Sequence, residues 1–177
     1  RVHPPARAGD CLACHTPHAS GRAGLLTQAP QRLCVTCHPG VAKDAALTHG
    51  HPPAARGECA ACHEPHQSAS AGLLKAKTAA LCATCHTALA TRIREGAPHA
   101  PVAMGMCLTC HANHGSANVG MTRRDGAALC LPCHAAANPA LVANHPGMNL
   151  AAVRCVSCHD PHAQRKGAHG LFRESQH

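Results

Sequence analysis

Cys59-Ala60-Ala61-Cys62-His63 sets two thiols two residues apart and puts an imidazole directly after the second. Thiols at that spacing add across the two vinyl groups of a porphyrin, and the adjacent imidazole then lies under the metal as its proximal ligand. The pattern occurs seven times: Cys11/Cys14/His15, Cys34/Cys37/His38, Cys59/Cys62/His63, Cys82/Cys85/His86, Cys107/Cys110/His111, Cys130/Cys133/His134 and Cys155/Cys158/His159. Together these use all 14 cysteines. A disulfide framework gives no reason for a histidine after every second cysteine, and zinc ribbons need two cysteine pairs per metal with no such rule. Seven covalently bound haem c groups are expected.

The other axial position is the next question. Seven proximal histidines leave 11 of the 18. His3, His51, His99 and His145 stand upstream of the odd-numbered motifs, and His18, His66, His114 and His162 follow each odd proximal histidine by three residues. These eight are the candidate distal ligands. His49, His169 and His177 have a weaker claim, and His49 competes with His51 because it lies 15 residues after Cys34, as His145 does after Cys130. The most economical scheme gives each upstream histidine to the odd haem that follows it, and His18, His66 and His114 to the even haem of their own unit. His162 then has no local partner. An alternative moves each upstream histidine back to the preceding even haem and frees His3 for a neighbouring subunit. Either way, two imidazoles close the iron to substrate, which favours outer-sphere electron transfer and makes an enzyme unexpected. Met104, Met106, Met121 and Met148 are possible substitutes for a distal imidazole, and Asp10, Glu58 and Arg154 are possible outer groups that tune potential.

The elements that position these groups follow from the repeat. Cys11, Cys59, Cys107 and Cys155 are 48 residues apart, as are Cys34, Cys82 and Cys130. The chain is therefore read as one heptahaem chain, 1–177, built of di-haem repeats 1–48, 49–96 and 97–144 plus a truncated half repeat, 145–177. A Gly-Leu-Leu segment follows the odd motif at Gly24 and Gly72, with a weaker version at Gly120-Met121-Thr122 and Gly170-Leu171-Phe172 at the end. Fourteen prolines and 15 glycines punctuate the chain. Single helical turns are expected at the Cys-x-x-Cys-His sites, with longer pieces near Val41 to Leu47, Thr87 to Glu95 and Ala135 to Val142. The fold class is mostly coil with a few short α-helices and negligible β-structure.

Composition sets the core. Leu, Ile, Val and Phe number 25 of 177 residues, there is no Trp or Tyr, and the formal net charge is +8. So little apolar side chain with that charge is the signature of a disordered polypeptide. The haems must supply the core, and the apoprotein is expected not to fold. The 16 Lys and Arg are scattered, never more than two in a row, and Phe172 is the single aromatic residue, so no nucleic-acid surface is expected. Two propionates on each of seven haems bring roughly −14 against about +7 from ferric iron, so the oxidised holoprotein is near neutral. Apolar runs are too short for a membrane span. Covalent haem attachment follows export, which places the protein outside the cell or at its surface after passage through the periplasm. Arg1-Val2-His3-Pro4 opens directly into the first repeat, so the chain is read as the mature form.

From His99 to Ser116 the chain reads H-x-P-V-x-x-G-x-C-x-x-C-H-x-x-H-G-S. This resembles multihaem c-type cytochromes with doubled CxxCH motifs, among them the decahaem outer-membrane electron conduits and, more loosely, extracellular cytochrome nanowires. The resemblance implies a continuous haem chain, self-assembly into a homopolymeric filament, and redox partner proteins or extracellular acceptors. A soluble periplasmic shuttle, or an electron-transfer subunit docked to a porin or reductase, is the alternative. A multihaem reductase needs a five-coordinate haem, and no motif here is altered to Cys-x-x-Cys-Lys.

Overall fold

The computed structural model describes residues 1–164 and 171. Its helices are short: α1 Pro4–Ala8, α2 Pro30–Cys37, α3 Pro39–Ala45, α4 Pro52–Ala55, α5 Thr78–Ala83, α6 Thr87–Glu95, α7 Ala100–Ala103, α8 Cys107–Cys110, α9 Ala127–Cys130 and α10 Pro139–Ala143. Proline, expected as a breaker, instead opens half of them: Pro4, Pro30, Pro39, Pro52 and Pro139 each stand at the first helical position, where the fixed φ suits the helix and the missing N–H is not needed. The helix expected at Thr87 to Glu95 lies on those residues, the one near Val41 begins two residues earlier, and the one near Ala135 is confined to Pro139–Ala143. Helix α2, which runs into the second haem motif, is an addition to the elements expected.

Strands are two residues long. β1 His49–Gly50 pairs antiparallel with β3 Gly115–Ser116, and β2 Ala97–Pro98 with β4 Ala163–Gln164. The chain forms two compact units, Arg1–Leu81 with Asn113–Ala117, and Cys82–Ala112 with Asn118–His177. The division does not follow the 48-residue repeats. Instead a short segment after the third odd motif belongs to the first unit, where it forms β3.

Side chains make almost no core. Among the described residues the buried apolar ones are Ala127 and Ala163, and no large side chain is fully enclosed. Helices of four to nine residues are marginal on their own in water. What fixes them must be the groups bound between them, as the composition requires. No helix among the described residues is long and apolar enough to cross a membrane.

Candidate metal centres

At the odd motifs the backbone forms one tight turn: single 3-10 turns at Cys11–Ala13, Cys59–Ala61 and Cys155–Ser157, and the one-turn α8 at Cys107–Cys110. The amide of the histidine closes the turn onto the first cysteine, His15 N donating to Cys11 O at 2.9 Å and His63 N to Cys59 O at 3.0 Å. At the even motifs the cysteines sit at or near helix ends, with Cys34 and Cys37 inside α2. Both frames bring two thiols and one imidazole together.

The 14 thiols are not equivalent. Cys11, Cys37, Cys85, Cys133 and Cys158 are exposed, whereas the other nine are half-buried. Four of these five are the second cysteine of their motif. Cys37 ends α2, Cys85 and Cys133 lie just beyond α5 and α9, and Cys158 caps the 3-10 turn, so each stands where the chain leaves its helix. With no side-chain core to lie over them, the cover of these thiols must come from the group they bond.

The proximal imidazoles face other imidazoles. Ring centroids lie 6.1 Å apart for His3 and His38, 5.9 Å for His15 and His66, and 6.2 Å for His63 and His114 in the first unit. In the second unit they lie 5.9 Å apart for His99 and His134, 5.7 Å for His111 and His162, and 5.9 Å for His145 and His159. Direct ring stacking would bring the planes much closer. Two metal–nitrogen bonds of about 2.0 Å plus the depth of each ring come to roughly 6 Å, so each pair fits one metal ion held between two nitrogens. Five pairs are inclined by 8° to 30°, whereas His145 and His159 are tilted by 56°.

This pairing exchanges the partners that economy suggests. Upstream His3 and His99 meet the even proximal histidine 35 residues later, not the odd one that follows. His66, His114 and His162 meet the odd proximal histidine 51 residues earlier, not the even one of their own unit. His162, expected to be without a partner, faces His111, whereas His145 faces His159 of the odd motif that follows it, as expected. His145 also stands ten residues before Cys155, where His3, His51 and His99 stand eight before theirs. His18 is the histidine left over: it is exposed and faces no imidazole among the described residues. His51 and His86 carry the 35-residue offset in the sequence. His49 lies in β1 opposite Ser116, while His169 and His177 fall outside the described residues.

The cause is a backbone clip. His3 N donates to His66 O at 2.8 Å, His51 N to His114 O at 2.8 Å, and His99 N to His162 O at 3.0 Å. Each clip sets two histidines 63 residues apart side by side on antiparallel segments. In the first unit His3 turns to the even site and His66 to the odd site of one repeat. A repeat is thus completed by the segment that follows the next repeat's first motif.

Sequence reasoning missed a second set of groups. The Nδ1 atoms of His15, His63 and His111 lie 2.6, 2.8 and 2.8 Å from the carbonyls of Gly24, Gly72 and Gly120. That bond fixes the tautomer and leaves Nε2 to the metal. The recurring Gly-Leu-Leu segment is its visible signal. Asp44 lies near His114, and Asp160 Oδ1 lies 3.6 Å from His162 Nδ1. Burial first, then the facing imidazole, lowers the pKa of both His114 and His162 against these carboxylates, which keeps them in the neutral form a metal needs. Glu58 and Arg154 instead make exposed ion pairs with Arg56 and Asp125.

Thiols of successive motifs are neighbours. Burial, then the adjacent Cys59 thiol, pushes Cys34 up to about 11, with a smaller contribution from Cys14. Cys130 is likewise pushed up to about 11 by burial and by Cys155, with a smaller contribution from Cys110. Burial, then the nearby Cys133, raises Cys110 as well. Successive motifs are therefore neighbours among the first three motifs, in the first unit, and among the last three, in the second.

Three segments, residues 3–43, 51–91 and 99–139, together well over half of the chain, match the family described as the doubled CXXCH motif. Each matched segment begins at an upstream histidine, His3, His51 or His99, and contains one odd and one even motif. No curated protein matches the chain.

Proposed function

Since the chain belongs to the doubled CXXCH motif family and is therefore a multihaem c-type cytochrome of electron transfer, we propose that it carries seven haems clamped by paired imidazoles. We propose further that it conducts electrons along them as a subunit of an extracellular filament, without being an enzyme. When bound, each haem supplies a one-electron iron couple. The protein's own part would be to hold each metal between two imidazoles and to set the attachment thiols of successive motifs beside one another. The observation that carries the reading is the set of six imidazole pairs 5.7–6.2 Å apart, which leaves the iron between them no open position for a substrate. The adjacency of Cys14, Cys34 and Cys59, and of Cys110, Cys130 and Cys155, supports a continuous path within each unit.

Self-assembly is supported by His18. Its register-mates His66, His114 and His162 each reach back to an earlier odd site, and the segments bearing them clip to an upstream histidine. His18 repeats this arrangement with neither partner among the described residues, so it offers an imidazole and an open backbone edge to a site elsewhere, such as that of a second copy. Head-to-tail contacts of that kind produce fibres when their rotation does not close into a ring.

Two measurements test the reading. Carbon monoxide added to the reduced protein is expected to leave the spectrum unchanged; uptake would instead show an open coordination position and favour a reductase. Electron micrographs of purified protein are expected to show thin fibres that His18→Ala abolishes while the haem content stays the same. Dispersed particles at high concentration would favour the soluble shuttle or docked subunit.

A further inference from the structure

We propose that the carbonyls of Gly24, Gly72 and Gly120 hold the irons beside His15, His63 and His111 at lower potential than those beside His38 and His134. The inference rests on the two-imidazole clamp and goes beyond it, because the clamp alone would leave all sites alike.

The carbonyls are placed by an unusual backbone. Gly24, Gly72 and Gly120 have φ of 69°, 63° and 69°, and the next residues, Leu25, Leu73 and Met121, have φ of 54°, 55° and 53°. A left-handed residue that is not glycine is strained and persists only where its surroundings hold it. Here the strain is found four times, since Leu171 has φ of 56° as well, although the residue changes from Leu to Met, so the conformation is kept and not the side chain. Both sides of the loop are fastened to the haem-binding motif. Thr16, Glu64 and Ala112 N donate to the carbonyls of Leu25, Leu73 and Met121 at 2.8, 2.7 and 2.8 Å. Thr27, Lys75 and Arg123 N donate to those of Cys14, Cys62 and Cys110 at 2.9, 2.9 and 2.8 Å. The loop therefore belongs to the odd site as a rigid second wall behind the proximal ring.

An Nδ1–H that donates to a carbonyl makes its imidazole the stronger electron donor to the metal. A stronger donor favours ferric over ferrous iron and so lowers the potential. Asp160 beside His162 and Asp44 near His114 act in the same direction on two of these sites. The proximal histidines His38 and His134 have no such wall: both are exposed, and no hydrogen bond reaches Nδ1 of either among the described residues. The step concerned is simple, since one electron from the reductant converts ferric to ferrous iron with no bond broken and no proton taken up.

The holoprotein, labelled with ¹⁵N-histidine and reduced with dithionite to its diamagnetic form, is expected to show Nδ1–H signals protected from exchange for His15, His63 and His111 and none for His38 or His134. Leu73→Pro cannot adopt positive φ and withdraws the Gly72 carbonyl; Leu73→Gly keeps the conformation. In a potentiometric titration the proline variant is expected to raise one midpoint and lose the His63 signal, and the glycine variant to change neither. Equal protection at odd and even histidines overturns the proposal, as does a proline variant whose midpoints match the parent's. Carbon monoxide uptake by the proline variant alone also overturns it, because the carbonyl would then hold the ligand and not tune it. Uptake by the unsubstituted protein would instead remove the clamp itself.

Discussion

An imidazole that ligates iron must present one ring nitrogen and find a partner for the other. At His15, His63 and His111 the second nitrogen goes to a glycine carbonyl, and at the distal His145 it goes to Leu141 O at 2.8 Å. Because His66 faces His15, the substitution His66→Ala is expected to expose the iron attached at Cys11 and Cys14, not the one at Cys82 and Cys85. The check is carbon monoxide uptake in paired backgrounds. His66→Ala should add one binding site to a protein lacking the Cys82/Cys85 motif, and none to a protein lacking Cys11 and Cys14. The proximal residues could be read from the motif because covalent attachment demands their spacing. The unequal cover of the thiols could not, since Cys133 and Cys158 are exposed while Cys130 and Cys155 of the same motifs are half-buried. Nor could the assignment of distal partners, because a histidine can reach any iron that the backbone brings near.

Between the residues stand the clips, where glycine matters for space. A Cβ on Gly115 would collide with the backbone carbonyl of Asp44, and one on Gly96 with the carbonyls of Gln164 and Arg92. Neither obstacle is a movable side chain. Gly115→Ala and Gly96→Ala are each expected to destabilise the holoprotein by about 1–3 kcal/mol, measured by denaturant unfolding followed at the haem absorbance. Gly9 has φ of 74° but open space around it, so Gly9→Ala is expected to cost only the left-handed penalty of about 1 kcal/mol. Greater loss at Gly9 than at Gly115 would mean that the clips do not hold the units. Helices such as α6 were readable because Thr87–Glu95 is free of proline and glycine, and α2 was not because Pro30 reads equally well as a stop.

At the scale of the molecule, the near absence of buried apolar side chains among the described residues makes stability a property of the bound groups. The polypeptide without haem is expected to give the circular dichroism of an unfolded chain and no cooperative melt. Mass measurement of the holoprotein is expected to exceed the polypeptide by seven haems; a compact apo form, or fewer haems, would refute this account of the core. The sequence by itself determined the attachment chemistry, the 48-residue repeat, the supply of imidazoles and the lack of a side-chain core, because each depends on residue type and spacing alone. Only the tertiary structure decided which imidazole meets which, since the clips join residues 63 positions apart and carry each ligand past its nearest iron. It also decided that His18 and not His162 is left over, and that a glycine carbonyl stands behind each of His15, His63 and His111, because both depend on where the backbone turns.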